Sequence, residues 1–89
     1  MTKHAKAFLE SRKISESDAW PCEWCGKPAL VQDLDCHHVR YRSQGGGNEP
    51  ENLIGLCRPC HEKAHAGKIS ESDLKSRVNG ILLYVEENA

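Results

Sequence analysis

Asp35-Cys36-His37-His38-Val39-Arg40-Tyr41-Arg42-Ser43-Gln44-Gly45-Gly46-Gly47, then Asn52-Leu53, then Cys57-Arg58-Pro59-Cys60-His61-Glu62-Lys63-Ala64-His65, is the stretch that decides the fold. It gathers four of the five histidines and, with Cys22 and Cys25 upstream, completes two Cys-x-x-Cys pairs. Leu34 to Tyr41 and Leu53 to Leu56 read as the two strands of a β-hairpin. Between them Ser43-Gln44-Gly45-Gly46-Gly47-Asn48-Glu49-Pro50 reads as loop. Cys57 to Ala66 reads as a helix, with Pro59 in the first turn, where a missing N–H does no harm, and Gly67 just past the end.

The surrounding chain is too short to support this on apolar contacts alone. With 89 residues, 38% of them hydrophobic and 6% aromatic, it makes one domain with a marginal core. A staple is therefore expected. The odd cysteine count, the two Cys-x-x-Cys pairs and an N-terminus without a signal-like apolar run favour a metal in a reducing, cytoplasmic setting over a secreted disulfide scaffold. No run approaches the roughly 20 apolar residues needed to span a bilayer. The net charge of −1 supplies no global attraction to nucleic acid. Basic residues nonetheless concentrate centrally, at Arg40, Arg42, Arg58, Lys63 and Lys68.

Outside the central stretch, helix formers over Thr2 to Lys13 predict a short packing helix. Lys13-Ile14-Ser15-Glu16-Ser17-Asp18 recurs as Lys68-Ile69-Ser70-Glu71-Ser72-Asp73, and in each copy Ser precedes Asp by three positions, as at a helix N-terminus. The first copy runs into Trp20-Pro21, which allows at most a turn or two. The second opens a helix to about residue 88, with Leu74, Val78, Ile81, Leu82 and Val85 on one face as core and Gly80 costing about 1 kcal/mol relative to Ala.

Cys22-Glu23-Trp24-Cys25 and Cys57-Arg58-Pro59-Cys60 make two knuckles 32 positions apart. Two such knuckles close a tetrahedral zinc shell, so Cys22, Cys25, Cys57 and Cys60 form a structural site with no position left for water. A redox pair is the competing reading, disfavoured by the absence of a βαβ pattern. Cys36 is then left over as a plain strand cysteine.

His61 and His65, four apart on a helix, project from one face as two ligands of one ion require. A protease-type His-Glu-x-x-His reading fits Glu62 but leaves His37-His38 unexplained. In a regular strand His37 and His38 point to opposite faces, so a bulge or the strand's end must reconcile them, and which one is ligand and which is base stays open on residues alone. Imidazole titrates near pH 6.5, as a base taking a proton from water requires. Arg40 and Arg42, two apart, share a face of a regular strand and are candidates for clamping phosphates.

In order and spacing, Asp35-Cys36-His37-His38-Val39, Gly45-Gly46-Gly47, Asn52-Leu53 and Cys57-x-x-Cys60-His61-x-x-x-His65 resemble the HNH endonuclease family, in its small, phage-type subset with a four-cysteine zinc and a colicin-nuclease-like site. The resemblance covers Cys22 to His65 and reaches neither flank. It implies a small α+β fold: a ββα-metal, treble-clef-like finger over residues 22–65 within a single domain of residues 1–89. It further implies His38 as general base, His37, His61 and His65 as ligands of one catalytic divalent ion (zinc, nickel, manganese or magnesium), and Asn52 as the residue holding the loop. Arg40 joins His38 and Asn52 in the catalytic group, and DNA, nicked or cut through by a one-metal mechanism, is the implied substrate. Small proteins resembling this one often accompany phage terminases, which makes a terminase, or another targeting protein, the implied partner. The competing class is a zinc-stabilised module that binds nucleic acid without cutting it, which leaves the histidines unused.

Overall fold

Leu53-Ile54-Gly55-Leu56 is apolar at every position, and all four residues are buried. A strand buried on both faces must be covered on both sides, and that requirement sets the architecture. In the computed structural model, which describes residues 2–88, this strand (β2, Leu53–Leu56) pairs antiparallel with β1 (Asp35–His38). Asp35 faces Leu56 and His38 faces Leu53.

The first strand is shorter than the expected Leu34–Tyr41. Val39 N still donates to Asn52 O at 2.8 Å, but the next amide, Arg40 N, donates to the Asn52 side-chain Oδ1 at 2.8 Å. A side chain thus replaces the ladder and the strand ends. Arg40 therefore lies in a bend and Arg42 opens a 3-10 turn over Arg42–Gln44, so the two arginines do not share a strand face. A second 3-10 turn, Pro50–Asn52, closes the long connection.

Helix α2 (Arg58–His65) follows β2 directly, with Cys57 at its N-cap, and completes a ββα unit. Ile54, Leu56, Cys60 and Ala64 from this unit pack with Val39, Ile69, Leu74 and Val78. The last two come from α3 (Glu71–Glu87), whose Val85 is also buried while Ile81 and Leu82 are half-buried, the face expected from the sequence. Ser70 caps α3 by accepting from Asp73 N at 3.1 Å. The first copy of the same hexapeptide makes only a turn, in which Asp18 N donates to Ser15 O and the Asp18 carboxylate accepts from Ser15 N.

Helix α1 (Lys3–Arg12) covers the opposite side of the hairpin through Phe8 and Arg12. Arg12 is 2% exposed and forms a two-pronged pair with Glu23, at 3.0 Å from Nε and 2.9 Å from Nη2. Glu23 also accepts from Trp20 Nε1 and Gly55 N, and Arg12 donates to Leu53 O. The pair is fully hydrogen-bonded, the condition under which buried charge is tolerated. No helix among the described residues is long and apolar enough to cross a membrane.

Candidate active site and metal centres

The first knuckle turns at Gly26, whose φ of +79° favours glycine, and Gly26 N closes the turn onto Cys22 O at 3.0 Å. The second knuckle is the β2–α2 junction itself. Together they bring the sulfurs of Cys22, Cys25, Cys57 and Cys60 within 4.8 Å of one another, with Cys25 and Cys57 Sγ 3.8 Å apart. A tetrahedral ion with Zn–S bonds of about 2.3 Å has S···S edges of about 3.8 Å, so the donor set fits zinc.

The thiols are electrostatically uneven. Burial raises Cys22, yet hydrogen bonds from the backbone of Cys25, Cys57 and Trp24 outweigh it and bring it down to about 6. Burial and the neighbouring thiols push Cys60 up. Four sulfurs this close carry four negative charges only around a cation. Cys36 stays apart from this set: its Sγ lies 3.8 Å from His4 O, and burial pushes its thiol up to about 12.

The second cluster consists of His37, His61 and His65, with ligating atoms also within 4.8 Å of one another. His37 comes from β1 and the other two from one face of α2, with Nε2 atoms 2.9 Å apart. With metal–nitrogen bonds of about 2.0–2.1 Å, two ligands of one ion stand about 2.9 Å apart at right angles and about 3.3–3.4 Å apart in a tetrahedron; the His61–His65 pair is near that span, and His37 is close enough to join it. His37 is buried, His61 half-buried and His65 exposed, so the cluster opens from the core towards solvent. Burial first, then His61, His65 and His38, lower the His37 pKa to about 4, which keeps its ring neutral and its lone pair available at pH 7.

Two outer partners orient these rings. Asp35 Oδ2 lies 3.1 Å from His61 Nδ1, and Tyr41 Oη lies 3.2 Å from His65 Nδ1. Asp35 accepts the Nδ1 hydrogen and leaves His61 Nε2 as the free donor atom, the usual arrangement behind a metal-bound imidazole. The sequence contained a signal for Asp35, two positions before His37 and therefore on the same strand face. Tyr41, four positions after His37, would share that face only in a strand that reached it, and β1 ends at His38.

His38 stands outside the three-histidine cluster. No bulge interrupts its pairing with Leu53; it is the last residue of β1, at the strand's end. Its Nε2 lies 2.9 Å from Asn48 Oδ1, and its ring centroid is 4.7 Å from that of His4. Asn52 is 8% exposed; besides accepting from Arg40 N, it donates through Nδ2 to Arg40 O at 3.1 Å and Gly47 O at 2.9 Å. It pins both ends of the glycine loop. Gly46 is required there, because a Cβ would overlap the Arg40 carbonyl oxygen. Arg40 is exposed and its Nε donates to Gln44 O, while Arg42 is exposed at the start of its turn.

Residues 22–67 match the HNH endonuclease family. The chain is 34% identical over 73 residues to the type IV methyl-directed restriction enzyme EcoKMcrA of Escherichia coli (strain K12), an alignment covering 75% of this chain and 24% of that enzyme. It thus spans about a quarter of that enzyme's length. It is 27% identical over 67 residues to anaredoxin of Nostoc sp. (strain PCC 7120 / SAG 25.82 / UTEX 2576), covering 75% of this chain and 82% of that protein. No solved structure gives a significant match. The matched segment contains the hairpin, the helix, both cysteine knuckles and the three-histidine cluster, and on that correspondence this chain belongs to the HNH endonuclease family.

Proposed function

We propose that this chain is a metal-dependent endonuclease domain that hydrolyses phosphodiester bonds in DNA. The observation that carries the reading is the convergence of three imidazoles in one cluster that runs from the core to the surface, with a fourth, His38, left out of it. A binding module has no use for that division.

His37, His61 and His65 would hold the divalent ion, and Cys22, Cys25, Cys57 and Cys60 a structural zinc. An all-nitrogen set favours zinc or nickel over magnesium, with manganese between them. When bound, the ion supplies positive charge that polarises the scissile phosphate and neutralises the departing 3′ oxygen.

The chain's own groups do the rest. His38 takes a proton from the attacking water as its oxygen bonds to phosphorus and the P–O3′ bond breaks. Asn52 keeps the loop after His38 in place through its three hydrogen bonds. Arg40 and Arg42, separated by the bend, contact phosphates as individual exposed cations. Few phosphates are neutralised by a chain of net charge −1, which supports delivery to DNA by a partner; a phage terminase in the cytoplasm is the partner we propose.

A supercoiled plasmid incubated with the protein and manganese, nickel, zinc or magnesium in turn tests the reading. Conversion to nicked or linear DNA with at least one ion is expected, strongest with a nitrogen-preferring one. Retarded but uncut DNA with every ion would establish the non-catalytic module instead.

A further inference from the structure

His4 lies in α1, outside the matched residues 22–67, and a packing helix has no evident use for a histidine there. Its ring centroid nevertheless sits 4.7 Å from that of His38, with the planes inclined at 54°. Its own Nε2 lies 3.4 Å from Thr2 Oγ1, at the long limit of a hydrogen bond. On the loop side, Asn48 Oδ1 meets His38 Nε2 at 2.9 Å. His38 is thus held by groups from two separate segments, neither of which belongs to the metal cluster.

These contacts differ in kind. A carbonyl oxygen only accepts, so Asn48 requires the hydrogen of neutral His38 to reside on Nε2 and leaves the lone pair on Nδ1. A neutral imidazole in the wrong tautomer is a poor base, because the nitrogen facing water then carries a hydrogen. His4 contributes no such bond; its ring stands tilted against that of His38. Burial first, with His38 and Arg42 adding to it, lowers the His4 pKa from its usual value, which favours the uncharged ring.

We propose that Asn48 and His4 are positioning residues for His38, Asn48 fixing its tautomer and His4 its ring orientation, so that Nδ1 is the nitrogen that accepts the proton. The proposal rests on His38 being the base. Helix α1 then completes the site as well as covering the hairpin. Its anchor is the buried Arg12–Glu23 pair, which ties it to the first cysteine knuckle.

Long-range 1H–15N spectra of the zinc-loaded protein read the tautomer without any cleavage. His38 is expected as the single Nε2–H form in the wild type and as an averaged mixture in Asn48→Ala. Asn48→Asp, which keeps an acceptor, should restore the single form. Ring relaxation should report a more mobile His38 in His4→Ala and a wild-type ring in His4→Phe. In plasmid cleavage, Asn48→Ala and His4→Ala should each lower kcat by about 10- to 100-fold with KM little changed, the range typical when an orienting partner is lost. Asn48→Asp and His4→Phe should recover most of it.

An Nδ1–H tautomer in the wild type, or spectra unaltered by Asn48→Ala, would overturn the role of Asn48. A ring no more mobile in His4→Ala, or His4→Phe as impaired as His4→Ala, would overturn that of His4. A wild type that cuts no DNA while its His38 shows the expected tautomer counts against the proposed function and leaves the positioning intact.

Discussion

Asn52 makes three hydrogen bonds from a buried side chain, and each ends on backbone that no other strand reaches. Asn52→Ala leaves those groups without their partner, at about 1–3 kcal/mol for each that stays buried and unsatisfied. Thermal unfolding should show a loss of at least about 1–3 kcal/mol, the cost of one such group, and plasmid cleavage should fall with it because Arg40 follows closely on His38. Asn52→Asp should recover little, since a carboxylate keeps the bond from Arg40 N and meets Arg40 O and Gly47 O with lone pairs. Cys36 makes a second test at this scale. Its thiol, pushed up to about 12 by burial, with Glu23 adding to the rise and Arg12 opposing it, stays protonated at pH 8. Thiolate is the reactive form, so iodoacetamide at that pH should leave Cys36 unmodified in the folded protein and label it after denaturation. At the residue scale the histidines and knuckle cysteines were legible because their spacing is itself chemical information. Asn48 and His4 were not: one lies in an aperiodic loop, and the other is 34 positions from the side chain it touches.

Among the elements, β2 and α2 were readable from an unbroken apolar run and a proline-started helix, whereas the end of β1 was not. Its end depends on the Asn52 side chain taking over Arg40 N from the ladder, a competition invisible in periodicity. The same error placed Arg40 and Arg42 on one face. Helix α3 offers a clean energetic check at Gly80, which is exposed and has open space where a Cβ would stand. Gly80→Ala should therefore raise unfolding stability by about 1 kcal/mol in denaturant titration, with no change in cleavage. Helix α1 depends on the Arg12–Glu23 pair, whose side chains are 0% and 1% exposed. Glu23→Ala should destabilise by about 3–5 kcal/mol, since it strands a buried guanidinium and removes the acceptor for Gly55 N. No sequence signal marked this pair, because a glutamate between two knuckle cysteines reads as solvent-facing.

For the molecule as a whole, the four-cysteine centre joins the first knuckle, the hairpin and α2, and Cys22 and Cys60 are part of the core itself. In a chain this short the metal is a large part of the driving force for folding. A strong chelator should abolish cooperative thermal unfolding and much of the helical circular dichroism, and added zinc should restore both; an unchanged spectrum after verified zinc removal would refute the structural role. The division of labour between a closed sulfur site and an open nitrogen site was legible from ligand type and spacing. Their coupling, through Cys60 and His61 as consecutive residues of a helix, was legible too, and α2 carries both. The central claim is that His38 acts on the substrate and not on the ion. Its most direct test is cleavage of supercoiled plasmid by His38→Ala and wild type at equal loading, with bound metal counted in the same samples. Two ions per chain in both proteins and cleavage by the wild type alone is the expected result; cleavage by His38→Ala at the wild-type rate, or loss of the second ion from it, would contradict the account.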